Sequence, residues 1–389
     1  MSNLIKVAII EPIGAHGGND TMNYWLLKML SHSSRMKGIL YTSSFNINKK
    51  NDFDIRLFFN GSFGKTHKLF RLFRYQYGII KSLLHAKKNN CSIAHFHIYH
   101  FNILELLNII FAKVFNFKIV FTVHDVESLD KISNKLFFDF KSIFFNLSDR
   151  IVFHSKFAKK IFLKNLSKKN PMIHDKCYLI PLVDMVHEPY NYISKSQACK
   201  KLDLPINKKI ILFFGQIKKS KGLDVLLNAM NILNVSNSNI LLVIAGKLWK
   251  DNISSYNEII NSKKLHDCVI QRLGYISNEE VPYYMSCASV IILPYRKIYN
   301  SGVLNRSMSY KLPIIASNLE TFSEQIINGK NGFLFEDGNH NALANVISNN
   351  IYNESLLKEV GENGYHSLAK RCDINLVSKL YENLYCWKD

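Results

Sequence analysis

The feature that most constrains this 389-residue chain is an alternation along its length. Short, continuous apolar runs rich in β-branched residues are separated by longer segments of helical periodicity. In the first half the runs are Ile5–Ile10, Ile93–His97, Ile119–Val123 and Ile151–His154, with helices expected over about 20–32, 68–88, 103–115, 133–147 and 155–166. In the second half they are Ile210–Gly215, Ile240–Gly246, Val269–Gly274, Val290–Pro294 and Ile314–Ala316, again with helices between. A strand apolar at every position must be covered on both faces, as in a parallel sheet sandwiched by helices. Two such series predict an α/β chain of two doubly wound, Rossmann-like parallel-sheet domains facing across a cleft. Ligands of such sheets bind at the carboxyl ends of the strands.

The length is too great for one ordinary core and suits two. The expected boundaries are a first domain over 1–183, a linker over 184–208, a second domain over 209–372 and a terminal helix over 373–389 that packs back toward the first domain. Pro181 and Pro189 close the first half, and Pro205-Ile206-Asn207-Lys208-Lys209 is polar and helix-breaking before the next strand. A hydrophobic fraction of 47% with 21% charged residues excludes a disordered chain. Lys6 is followed by a run too short for a signal peptide, and the apolar stretch Phe101–Val123 is interrupted by charged and polar residues, so no secretion and no membrane span are expected. Seven scattered cysteines without a C-x-x-C pair read as reduced thiols of a cytoplasmic protein, neither a disulfide framework nor a zinc site.

The net charge of +20 is unevenly spread: residues 1–180 carry 27 Lys and Arg against 11 Asp and Glu. One half of the chain is built to meet something anionic, whether an anionic lipid, a polyphosphate-linked lipid or a nucleic acid. Two segments concentrate this charge among aromatics, His67–Lys88 and Lys156–Lys164. Such segments can lie on an anionic bilayer, or be ordinary helices with a solvated basic face. No RNP, KH, helix-turn-helix or Cys/His finger pattern supports nucleic-acid binding.

Two strand–loop–helix junctions in the second half can carry chemistry. After the strand ending at Gly215, the loop Gln216-Ile217-Lys218-Lys219-Ser220-Lys221-Gly222 sets two lysines three residues apart before a helix, which can grip a diphosphate or be a solvated basic turn. After Leu293-Pro294-Tyr295-Arg296, the sequence Asn300-Ser301-Gly302-Val303-Leu304 starts another helix: Ser301 can cap it and Gly302 lets a phosphate approach the backbone.

Taken together, the strings F-F-G-x-I-K-x-x-K-G-L-D-x-L-L from 213, L-L-V-I-A-G at 241–246, G-Y-I-S-N-E-E-V at 274–281, L-P-Y-R at 293–296, S-G-V-L at 301–304, K-L-P-I-I-A at 311–316 and N-G-K-N-G-F-L-F at 328–335 resemble the donor-binding domain of the family 4 retaining glycosyltransferases of GT-B architecture. The resemblance spans about 140 residues from Ile211 to Ile347. The first half is similar to the family's acceptor domain more loosely, through Gly14-Ala15-His16-Gly17-Gly18 and Thr122-Val123-His124-Asp125. The resemblance implies transfer of a sugar from a nucleotide-diphosphate donor to a lipid-linked or polysaccharide acceptor, in capsule, O-antigen, exopolysaccharide or glycolipid synthesis at the inner face of the cell membrane. It implies that Lys218 and Lys221 hold the diphosphate, that Ser301, Gly302, Val303 and Leu304 give it backbone amides, and that Gly246 and Tyr275 lie against the nucleoside. His124 would stand near the transferred sugar, and Gly17 and Gly18 would let their loop close on the donor. Arg296 and Arg306 are candidates for phosphate contacts or plain surface residues.

Cations and amides aimed at the departing phosphate stabilise the charge that builds there, in place of a divalent metal, so no metal or cofactor is expected. The one D-x-D, Asp52-Phe53-Asp54, reads as chance. Where many members of the family carry two glutamates eight positions apart, this chain has Ile298 and Arg306. That departure leaves the donor open and keeps a catalytically inactive partner subunit as an alternative. A histidine after a buried strand is also an ordinary core residue, and His95, His97 and His100 read as acceptor-side lining or packing rather than a metal site.

Overall fold

The computed structural model describes residues 4–14, 19–47, 52–63, 67–126, 136–164, 175–183, 193–236 and 239–387, with backbone alone at 136–141 and 235–236. The chain divides into two compact units. The first is Met1–Asp184 with Cys372–Asp389, and the second is Met185–Arg371.

The first unit runs β1 (Ile5–Ile10), α1 (Asn19–His32), β2 (Met36–Tyr41), β3 (Asp54–Arg56), α2 (Lys68–Lys88), β4 (Ile93–Ile98), α3 (Ile103–Val114), β5 (Lys118–Val123), α4 (Leu136–Leu147), β6 (Arg150–Phe153), α5 (Lys156–Lys164) and β7 (Cys177–Leu179). The second runs α6 (Lys195–Leu202), β8 (Lys209–Phe214), α7 (Leu223–Ser236), β9 (Ile240–Gly246), α8 (Ile253–Ser262), β10 (Val269–Leu273), α9 (Val281–Cys287), β11 (Val290–Leu293), α10 (Gly302–Ser309), β12 (Ile314–Ser317), α11 (Glu320–Ser323), β13 (Phe333–Phe335), α12 (His340–Asn350) and α13 (Glu354–Arg371). The last helix, α14 (Ile374–Tyr385), belongs with the first unit.

Both sheets are parallel throughout. Their strand orders are β3-β2-β1-β4-β5-β6-β7 and β10-β9-β8-β11-β12-β13. In each, the chain winds outward from a central strand, then returns to that strand's other side and winds the opposite way. The reversal lies between β1 and β4 in one unit and between β8 and β11 in the other. At such points the two flanking loops diverge and leave a crevice at the strand ends. The continuous apolar runs behave as their composition requires: β4 and β9 are buried at every residue. Leu226, Leu227, Met230 and Leu233 of α7 pack with Leu242 and Ile244 of β9 in the second unit's core.

β2, β3, β7 and β13 were absent from the alternation read in the sequence. Three of them have only three residues each, too few to display a period, and β2 is interrupted by Lys37 and Gly38. The expected linker over 184–208 also holds α6. Ser194 caps this helix by accepting from the Gln197 amide at 3.2 Å, while the Gln197 side chain accepts from the Ser194 amide at 3.0 Å. This reciprocal cap, with Ala198 and Cys199 buried, makes the segment an outer helix of the second unit instead of a bare connector.

α14 is held by its chain ends. Glu382 accepts a hydrogen bond from Ser33, and the Arg150 guanidinium donates to the carbonyls of Asn383, Leu384 and Cys386 at 2.7, 2.6 and 3.0 Å. Those are the orphan carbonyls of a helix C-terminus, where a cation also faces the favourable end of the helix dipole. All seven cysteines are free thiols. Among the described residues no helix is long and apolar enough to cross a membrane.

Candidate functional site

In the second unit the crevice between β8 and β11 is stitched together by glycine and backbone contacts. Gly222, after the 3₁₀ turn Lys219–Lys221, has φ 67°, and a Cβ there would lie 1.9 Å from the Pro294 carbonyl. Only glycine lets the turn after β8 sit on the end of β11. The Arg296 amide donates to the Ser220 carbonyl at 2.9 Å. The Arg296 guanidinium donates to both carboxylate oxygens of Asp224, at 2.6 and 2.5 Å, and to the Lys219 carbonyl at 3.2 Å. Arg296, a candidate donor ligand from the sequence, is therefore a clasp between the β11 loop and the start of α7. Its pKa is raised chiefly by the bond to Asp224.

The two lysines sit on this stitched turn. Both are half-buried, and the Lys221 ammonium lies 3.6 Å from the centre of the Tyr295 ring, a cation–π contact that aims it at the β11 side of the crevice. The Lys218 carbonyl accepts from the Lys221 amide at 2.8 Å, which closes the turn and fixes the spacing of the two side chains.

On the other wall, Ser301 caps α10 by accepting from the Leu304 amide at 3.2 Å. The Leu304 amide is thus used within the protein. The first two amides of the helix, those of Gly302 and Val303, have no protein acceptor among the described residues. A Cβ added at Gly302 would meet nothing within 4 Å, so the space in front of this helix end is open. Val303 approaches β8 closely: its Cγ2 would stand 3.3 Å from a Cβ on Gly215. The outcome is two half-buried lysines on one rim and two unused helix amides on the other, an arrangement that attracts oxyanions.

Gly215, Gly246 and Gly274 follow or end three adjacent strands, with φ values of 109°, 153° and 151°. A Cβ on Gly246 would fall 1.7 Å from the Gly215 carbonyl oxygen. The Gly215 amide donates to Ala245 and the Gly274 amide to Gly246, each at 3.0 Å. Gly246 is thus needed for the packing of the strand ends. Tyr275, next to Gly274, is exposed at that same edge. Ile298 is buried, and its carbonyl accepts from the Thr321 hydroxyl at 2.8 Å, so an apolar residue suits the place where a glutamate was looked for. Arg306 is half-buried on α10.

In the first unit the strand ends carry buried titratable groups. His124, at the end of β5, stacks on Tyr99 with ring centres 4.5 Å apart and planes at 12°, and its Nε2 shares a hydrogen bond with His97 Nδ1 at 3.3 Å. His95 is held between Tyr385 of α14, at 2.5 Å, and the Thr122 hydroxyl, at 2.7 Å. His154 donates from Nδ1 to the Ile180 carbonyl at 2.8 Å, which leaves its Nε2 as an acceptor when neutral. The Nε2 atoms of His97 and His154 find no protein partner among the described residues, and both rings line a cavity of about 20 Å³, room for one water. Burial lowers the pKa of all four rings, and that of His97 falls to about 3, so the cluster is neutral at neutral pH.

Glu11 was not singled out in the sequence. It follows β1 at the first unit's reversal point, is fully buried, and accepts from the amides of Ile13 and Gly14 and from the Asn23 side chain at 3.0, 2.9 and 3.1 Å. Desolvation raises its pKa to about 7. A lone glutamate at the end of a strand gives no sequence signal, because only the fold buries it. Gly17 and Gly18 lie outside the described residues. Asp54 of the D-x-D pairs with Arg56 at 2.7 Å within β3.

Residues 194–367, which lie within the second unit, match the family model described as Glycosyl transferases group 1. An uncharacterized glycosyltransferase of Methanocaldococcus jannaschii is 28% identical over 272 residues, which cover 68% of each chain. The capsular polysaccharide biosynthesis glycosyltransferase CapM of Staphylococcus aureus is 23% identical over 176 residues, 45% of each chain, so this match spans less than half of CapM. Among solved structures, HepE of Anabaena in complex with UDP-glucose has a TM-score of 0.75 at 14% identity, covering 98% of this chain and 99% of that one. At that identity the likeness establishes the fold: two parallel-sheet, Rossmann-like α/β domains of GT-B type.

Proposed function

We propose that this chain, whose residues 194–367 match the group 1 glycosyltransferase model, transfers a sugar from a nucleotide-diphosphate donor to a lipid-linked or polysaccharide acceptor. In this reading it works with retention of configuration, without a metal, and at the cytoplasmic face of the membrane. The observation that carries the reading is the β8–β11 crevice, where Lys218 and Lys221 oppose the open amides of Gly302 and Val303. As the bond from sugar to diphosphate breaks, negative charge grows on the phosphate oxygens. Ammonium groups and amides already fixed there need no reorganisation to meet it. HepE, solved with UDP-glucose, supports a nucleotide-sugar donor, and the similarity to CapM supports a polysaccharide product. The excess of cations in residues 1–180 supports an anionic membrane beside the acceptor. His124 is neutral and clamped by Tyr99 and His97, so its proposed part is a hydrogen bond to a sugar hydroxyl, with no proton transfer.

The test is release of nucleoside diphosphate from UDP-, GDP-, dTDP- and ADP-sugars, in EDTA, with and without a bacterial lipid extract as acceptor. Release stimulated by the extract from one donor, with the product's anomeric configuration matching the donor's, is the expected result. Release that requires added metal contradicts the metal-independent site. A donor that binds and is never turned over would favour the inactive-subunit reading, for which the one observation is the absence of both glutamates at Ile298 and Arg306.

A further inference from the structure

Helix α2 is unlike the other helices that cover the two sheets. Over 21 residues it holds Lys68, Arg71, Arg74, Lys81, Lys87 and Lys88 and no carboxylate. At about 100° per residue, Phe70, Phe73, Tyr77 and Leu84 fall on one stripe, with Arg74 and Lys81 along its border. The stripe is not core: Phe73 is 73% and Tyr77 65% exposed, while the helix buries Tyr75, Gly78, Ile79 and Leu83 on its opposite side. Helix α3 adjoins it through the Tyr75 hydroxyl, which donates to Glu105 at 3.1 Å, and through Asn108, which donates to the Tyr75 oxygen at 2.9 Å. α3 adds Ile103 and Val114, 66% and 75% exposed.

Beside the stripe lies an open groove of about 430 Å³ between α2 and residues 57–61. Gly78 lets the two walls meet, since a Cβ there would come within 2.8 Å of the Phe58 carbonyl. Lys81 lies 4.4 Å from the centre of the Phe58 ring, which forms one side of the groove. Arg74 rests against Gly61, which has φ 74°, and lies 4.4 Å from the Phe70 ring. Among the described residues neither Arg74 nor Lys81 is paired with a carboxylate. Two uncompensated cations seven residues apart on one helix, both lining the groove, held by aromatic faces and bordered by exposed apolar side chains, match a phosphate attached to something greasy.

We propose that this groove binds the phosphate headgroup of an anionic glycerophospholipid in a bilayer, with the apolar stripe of α2 and the exposed end residues of α3 inserted beside it. The inference rests on the membrane-side acceptor reading above, and it names the lipid class and the residues that meet it. Each cation near such a surface adds roughly 1 kcal/mol, and the aromatics add burial that salt does not screen.

The experiment is flotation of the full chain with vesicles of phosphatidylcholine alone and of phosphatidylcholine containing phosphatidylglycerol. Three variants are compared with the parent: Arg74→Gln with Lys81→Gln, Phe73→Ser, and a charge-matched control, Lys200→Gln with Lys201→Gln on the exposed face of α6. The expected result is binding to the anionic vesicles only, lowered about tenfold or more by the groove pair, severalfold by Phe73→Ser, and less than about twofold by the control. Equal losses from the two lysine and arginine pairs would show a mere net-charge effect and overturn the proposal. So would undiminished binding of the groove pair, or full displacement by soluble glycerophosphate at the concentration of the lipid phosphate. A nucleoside-diphosphate melting shift measured on the same variants separates this outcome from failure of the transferase reading. A folded groove variant that keeps the donor shift and loses vesicles bears on the groove alone.

Discussion

The two units share a strand order about their reversal points, yet they equip those points in opposite ways. The second unit lines its crevice with backbone: Gly222 under Pro294, Gly246 against Gly215, and the open amides of Gly302 and Val303, with two lysines added. The first fills its strand ends with titratable side chains: buried Glu11 after β1, His95 and His97 on β4 and His124 after β5, with half-buried His154 after β6. A site made of backbone suits a ligand whose charge is fixed, such as a diphosphate. A site made of neutral imidazoles and a desolvated carboxyl suits hydroxyls, and its strength depends on pH.

The sharpest way to break this contrast is to remove the second unit's cations. Lys221→Ala should lower kcat/KM for donor turnover by about 10²–10³-fold, the range for losing one fixed group aimed at developing charge. Lys218→Ala should fall in the same range, whereas substitution of His124 by Gln should cost less, because a neutral hydrogen bond is being exchanged for another. Steady-state kinetics on the three variants decide it. Equal losses at all three would place the charge stabilisation in both units.

Two glycines in one crevice separate packing from binding. Gly246→Ala would drive a Cβ into the Gly215 carbonyl and should destabilise the second unit by about 3 kcal/mol or more. Gly302→Ala meets open space and should leave the melting temperature unchanged or slightly raised, while donor affinity falls about tenfold. Melting curves with and without donor read both effects. An unstable Gly302→Ala would mean that this glycine serves the fold and leaves no argument for a ligand there.

The pH response should lie in the first unit. Its buried histidines have folded pKa values below the unfolded 6.5, so their share of stability is whole above 6.5 and is lost as pH falls. Glu11 and Glu105 have pKa values raised to about 7, so their share is whole below about 4.5 and is lost as pH rises to 7. The two sets oppose each other, and substitutions should reveal them. Relative to the parent, His97→Gln should gain about 2 kcal/mol at pH 5 compared with pH 8, and Glu11→Gln a similar amount in the reverse sense. Hydrogen exchange resolved by unit is the readout. The second unit's described histidines, His266, His340 and His366, are exposed, and its protection should not follow either change.

The smallest expected effect concerns Arg296. Its pair with Asp224 is about one-third exposed on both sides, so Arg296→Met should cost under about 1 kcal/mol of stability. It should also loosen the turn that carries Lys221, visible as a weaker donor melting shift. A loss of donor binding as large as that of Lys221→Ala would give Arg296 a direct part in holding the phosphate.

The same contrast explains what could be read in the sequence. The second unit's loops were legible because backbone geometry dictates residue type: a left-handed turn under Pro294 and a close strand approach leave glycine at 222 and 246, and the motif repeats that demand. The clasp made by Arg296 was not legible because its partner Asp224 stands in the first turn of α7, and no spacing reveals a pair between one helix start and the loop after another strand. Glu11 was missed for the reason given by its surroundings. A carboxylate becomes unusual only when the residues around it, here Asn23 of α1 and Thr42 after β2, fold over it. The histidines of β4 were legible as packed side chains of a buried strand, but their link to His124 depends on the register that sets His97 beside Thr122 on β5.

The proposed nucleoside-diphosphate site of the second unit is expected to work without a metal. Its most direct test is a melting-shift titration with UDP, GDP, dTDP and ADP up to millimolar concentration in EDTA, on the parent chain and on Lys221→Ala. One of them should raise the melting temperature of the parent in proportion to the logarithm of its concentration, and the shift should be lost in the variant. No shift with any of them, or a shift undiminished in Lys221→Ala, would contradict it.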